Sequence, residues 1–132
     1  MRAPLVVVAL ASLLAAIPVL AHHSYGGSFY LYEIVTVKGK ISSISFKDPH
    51  VMLTIETKTS GVWQAEWTQA SGLKRRGITE QTLHVGDFVE IEASPSRDES
   101  LRIVSALREI RRPVDMWRWV SEDKWPEPRV IE

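Results

Sequence analysis

Val35-Thr36-Val37-Lys38-Gly39-Lys40-Ile41-Ser42-Ser43-Ile44-Ser45-Phe46-Lys47-Asp48-Pro49-His50-Val51-Met52-Leu53-Thr54-Ile55 is the stretch whose reading decides the fold. Val35, Val37, Gly39 and Ile41 take every second position, the period of a strand with one buried face. After Ser42-Ser43 the phase slips, and Ile44 and Phe46 carry the apolar side chains. A one-residue slip would turn a whole face inside out, so the pattern predicts a β-bulge that bends the strand. Asp48-Pro49 then predicts a turn, because proline has no N–H to pair and aspartate favours such positions. Val51, Leu53 and Ile55 resume the alternation on the way back. The stretch reads as a bulged hairpin with His50 at its turn.

Working outward, Val62-Trp63-Gln64-Ala65-Glu66-Trp67 predicts a third strand, with Trp63 and Trp67 filling the core beside Ala65. Ser71 to Gly77 reads as a short helix with a capping serine. Within it Arg75-Arg76 reads as a solvated pair that complements the helix dipole. Phe88 to Ala93 and Leu101 to Leu107 supply two more strands, separated by a polar loop from Ser94 to Ser100. His84 lies in the turn before the fourth strand and reads as structural. Three strands, a short helix and two strands is the order of the OB-fold, a five-stranded, partly open barrel. The expected class is therefore all-β with one short helix; a small antiparallel sandwich is the alternative. OB-folds bind ligands through the loops after strands one and four, which here hold Lys47–His50 and Ser94–Ser100.

At the other end, Met1-Arg2 and the apolar run to Leu20 read as a signal peptide over residues 1–21, cleaved after Ala21. The alternative is an uncleaved anchor, but Pro18 and the small residue Ala21 end the run as a processing site does. The expected protein is exported to the periplasm with no permanent membrane anchor. Four segments follow: the leader, an arm over 22–33, a barrel over 34–112 and a tryptophan-rich tail over 113–132. The chain of 132 residues has no cysteine, which excludes disulfides, thiolate metal sites and a cysteine nucleophile. Formal net charge is zero, so nothing pulls the chain towards nucleic acid. No Gly-x-Ser-x-Gly elbow, His-Glu-x-x-His or phosphate loop occurs, and the chain is not expected to be an enzyme.

Cleavage after Ala21 would leave His22-His23 with a free α-amine, a nitrogen set suited to copper or another divalent metal. The dozen residues from His22 to Ile34 span up to about 40 Å, so the arm could reach His50. The candidate metal ligands are His22, His23 and His50, with Asp48 as a carboxylate that orients His50. The competing expectation is a metal-free binding module that takes a peptide, glycan or partner protein on its open face. Trp117, Trp119 and Trp125 in the tail are then a candidate partner surface.

His22-His23-Ser24, Phe29, Val35-Thr36-Val37-x-Gly39, Pro49-His50-Val51, Leu73-x-Arg75-x-Gly77 and Leu83-x-x-Gly86-Asp87-x-Val89 together form a pattern. It resembles a family of small exported bacterial proteins, domain-of-unknown-function family six-one-five-two, from His22 to about Ile110. The family often has Asp where this chain has Tyr30, and Asn where this chain has Asp48. The resemblance implies no activity.

Overall fold

The computed structural model describes residues 25–128; the leader, His22 and His23 lie outside them. After a helical turn, α1 (Tyr25–Ser28), come β1 (Val35–Ser45), β2 (Met52–Glu56), β3 (Val62–Glu66), the short helix α2 (Ala70–Arg75), β4 (Phe88–Pro95), β5 (Ile103–Arg112) and β6 (Trp117–Val120). Strand neighbours run β3-β2-β1-β4-β5-β6, and a parallel β3–β5 pairing closes the first five strands into a barrel.

β1 makes closure possible by serving two partners. Val35 to Lys40 pair with β4, and Lys40 to Ser45 pair with β2, so Lys40 is held from both sides. The expected bulge lies between Ile41 and Ser43, where the β1–β2 register shifts. Just before the switch stands Gly39, where any Cβ would overlap the Glu56 carbonyl oxygen and lie 2.9 Å from Ile55 Cγ2. Only glycine lets the two backbones cross this closely.

Inward-facing Val37, Ile41, Leu53, Ile55, Ala65, Val89, Ile91, Val104 and Ile110 form the core, and Leu73 of α2 plugs it. Trp67 is 3% exposed and meets Trp119 edge-on, with ring centroids 5.1 Å apart. Trp63 is only partly buried; it packs against the core rim and donates its indole N–H to Ser60 Oγ.

Three local expectations change. The loop after β4 begins later than Ser94, because Ser94 and Pro95 still pair with Ser105 and Val104. β5 runs on to Arg112, past a bulge where Ala106 takes φ +49°. Arg108 supports that bulge by donating to the Ala106 carbonyl and Ser94 Oγ. The tail is not separate from the sheet: Trp117–Val120 pair with Glu109–Arg112, turning Trp117 and Trp119 inward.

On the outer face, in-register residues of four strands carry an ion-pair ladder. Lys38 and Arg111 both reach Glu90, and Arg111 and Arg118 both reach Glu109.

Truncating Trp67 removes one half of the aromatic pair and opens a core cavity. Trp67→Ala is expected to lose about 3–5 kcal/mol of stability in denaturant unfolding. Gly39→Ala should also unfold at lower temperature. A Gly39→Ala protein as stable as the parent would show that β2 can retreat from β1 without cost.

Candidate functional site

The helix-capped end of the barrel gathers most of the chemistry. Asp48, in the β1–β2 loop, accepts a hydrogen bond from the Ser71 amide at 3.1 Å and one from Ser71 Oγ at 3.4 Å. Gln69, the residue before α2, gives no side-chain cap, so a loop far away in sequence caps the helix in its place. The Ser71 amide holds the Asp48 carboxyl below the usual carboxylate range against the opposing effect of burial, with the Ser71 hydroxyl, the Ala70 amide and Arg75 adding to it.

Val51 follows His50 and is tied down twice: its amide donates to the Thr68 carbonyl, and its own carbonyl accepts from the Trp67 amide. This lays His50 alongside the end of β3. There His50 Nδ1 lies 2.7 Å from Glu66 Oε1, with both side chains about one-fifth exposed. A carboxylate only accepts, so Nδ1 carries the proton of this bond and Nε2 is left as the ring's other nitrogen. Met52 pairs with Glu66, and Thr54 with Gln64, on the same outward face of β2 and β3. Thr54 Oγ1 donates to Gln64 Oε1.

Asp48 and His50, expected as partners, thus go separate ways, one to α2 and the other to Glu66. Glu66 is the residue that sequence reasoning missed. Its signal was present: it alternates with the buried Ala65 and Trp67, and the hairpin register sets it opposite Met52, next to the turn.

The arm is anchored elsewhere. Gly26 and Gly27 lie in the turn of α1 rather than in a sharp bend. Tyr30 N–H donates to the Pro95 carbonyl, Arg97 N–H to Ser28, and Arg97 Nε to Gly26. The Arg97 guanidinium covers the Tyr30 ring at 4.7 Å. These contacts involve the loop after β4, beside the start of β1, whereas His50 follows the end of β1. The described arm is thus held by the loop after β4 and by Arg108, while His50 is held beside the end of β3. Among the described residues, no three His, Cys, Asp or Glu side chains gather as a metal site would require.

His84 serves its turn: its amide donates to Asp87 Oδ2 and its carbonyl accepts from Asp87 N–H. Burial opposes ionisation of Asp87, yet the His84 amide and the Arg112 guanidinium outweigh it and keep the carboxyl below its ordinary value.

A model of one protein family matches residues 9–104. The chain belongs to the family of unknown function DUF6152. The DUF6152 match includes His50, Glu66, Arg75 and Arg76, and it stops within β5, ahead of β6 and the tail. No curated protein and no solved structure matches the chain.

The Asp48 contact gives a pH test. Its folded pKa is depressed, so its stabilising contribution is complete above the unfolded value of about 3.9 and is lost as pH falls through the lower, folded value. Asp48→Ala should melt below the parent at neutral pH, with the gap narrowing on acidification below about pH 4. A gap that is constant with pH would mean that the carboxylate charge does not contribute to the cap.

Proposed function

We propose that this chain is an exported binding module that engages its ligand at the helix-capped end of the barrel, with no metal required. The observation that carries the reading is the His50–Glu66 pair. A half-buried imidazole locked by a carboxylate is a pre-oriented hydrogen-bonding group, and it stands where the fold uses its β1–β2 loop for ligands. Met52, Thr54 and Gln64 extend the surface with one apolar and two polar side chains. A peptide or partner protein with hydrogen-bonding groups suits that mixture. The ion-pair ladder leaves the β1–β4–β5–β6 face neutral and self-satisfied, which favours the β2–β3 side. Export rests on the leader and the Val19-Leu20-Ala21 site.

The second reading is a copper or other divalent metal site built from His22, His23 and His50. In its favour, a carboxylate on the far nitrogen is how metal-binding histidines are commonly oriented, with Glu66 in the place expected for Asp48. Against it stands the anchoring of the described arm on the loop after β4 and on Arg108 rather than on the loop that carries His50.

Copper titration of the mature protein separates the two. In the metal-free reading, His22-His23 with the free amine behaves as a peptide of the same first residues does, and His50→Ala leaves copper affinity unchanged. A clear loss of affinity in His50→Ala would establish the shared metal site and overturn the proposal. Mass spectrometry of the exported protein, native and denatured, should find His22 as the first residue. Recovery of the full-length chain in the membrane fraction would refute export as a soluble protein.

A further inference from the structure

A second cleft, of about 250 Å³, opens between α2 and the segment that leaves β6. Gly72, Arg75 and Arg76 line it from the helix side, and Ser121, Glu122 and Asp123 from the other. Trp119 also lines it; the ring is 5% exposed, and its indole N–H has no hydrogen-bond partner among the described residues. The N–H of Trp67, its edge-on neighbour, is unpartnered in the same way.

The two arginines differ in occupation. Arg76 covers the Trp119 ring at 5.7 Å, donates to the Val120 carbonyl at 3.2 Å and meets Glu122 at 3.3 Å. The Glu122 side chain is 77% exposed, so this ion pair is weak and readily exchanged. Arg75 is exposed and makes no side-chain hydrogen bond or ion pair among the described residues; Gly72, with no side chain of its own, leaves room beside it. Nearby Lys74 is paired with Glu80, Asp48 caps α2, and Asp123 accepts from Ser121 Oγ.

We propose that this cleft is a carboxylate-binding site, with Arg75 and Arg76 holding the ligand and Glu122 acting as the chain's own occupant until it is displaced. A guanidinium presents paired donors that match the two oxygens of a planar carboxylate. Glu122 already shows that a carboxylate fits against Arg76. The Trp119 ring lines the cleft under the Arg76 guanidinium, so its indole N–H reports on what the cleft holds. Asp123 and Asp48 nearby penalise a doubly charged phosphate more than a singly charged carboxylate. The cleft shares Thr68, Trp119 and Asp123 with the cleft that Glu66 lines, yet the site does not depend on the His50–Glu66 reading.

The test follows the Trp119 indole N–H by ¹H–¹⁵N NMR, its signal assigned with Trp119→Phe. Four probes are titrated: acetate, a short peptide with a free C-terminal carboxylate, the same peptide amidated, and inorganic phosphate. A saturable shift with acetate and the free peptide alike indicates a general carboxylate site. A shift with the free peptide alone indicates a peptide terminus, and either supports the proposal. Arg75→Gln, which breaks no hydrogen bond or ion pair among the described residues and removes only a minor electrostatic pull on Asp48, should weaken binding about tenfold or more. Glu122→Gln, which removes the competitor, should bind severalfold more tightly, and His50→Ala should bind as the parent does. No saturable shift with either carboxylate, an amidated peptide that binds equally well, or phosphate that binds better would overturn the proposal. So would an Arg75→Gln protein with parental affinity.

Discussion

A strand that hydrogen-bonds to β4 over its first half and to β2 over its second has to bend where the partners change. β1 meets that demand with three consecutive features: Gly39, where the β2 backbone presses in; Lys40, paired on both sides; and the bulge between Ile41 and Ser43. Everything downstream follows from the bend. It turns the strand's second half across the barrel and delivers the 46–51 loop to the end that α2 covers. There Asp48 can cap the helix and Val51 can pair with the chain leaving β3. Without the change of partner, His50 and Glu66 would have no common location.

Two sets of contacts around the barrel do different work. One binds the chain to itself: Arg97 and the loop after β4 hold the arm, and Arg108 donates to the Leu31 carbonyl while bracing the bulge at Ala106. Burial lowers the pKa of Arg108, against the pull of Glu127 and Glu92, as expected of a cation used as an internal brace. Around α2 and the end of β3 lie polar groups that the fold has not fully used: the imidazole of His50, the guanidinium of Arg75 and the indole N–H of Trp119.

Much of the fold was legible because it rests on local rules. The alternation in Val35–Ile55 and its slip at Ser42-Ser43 revealed a bent hairpin, and the order of elements revealed the barrel. Legibility failed where a residue's partner is set by tertiary pairing. Ser71 looked like its own helix cap, but its amide is the donor and Asp48 the acceptor across the barrel end. Glu66 became His50's partner through cross-strand register, which composition does not encode. β6 was missed because four residues, two of them inward tryptophans, are too few to establish a period. Nor did the sequence say where the arm would be held, since Gly26-Gly27 is compatible with a bend and with the helical turn it adopts.

β6 also changes how this barrel meets its own kind. Without it, the end of β5 from Glu109 to Arg112 would present a row of unpaired amides and carbonyls, the template on which a second copy can add a strand. β6 covers that row, and its own exposed rim is short. Arg76 blocks part of that rim by occupying the Val120 carbonyl, and Arg118 sets a charge in the middle of the strand. β6, which lies beyond the DUF6152 match, therefore covers an edge otherwise open to strand addition, with residues that the barrel itself does not need to close.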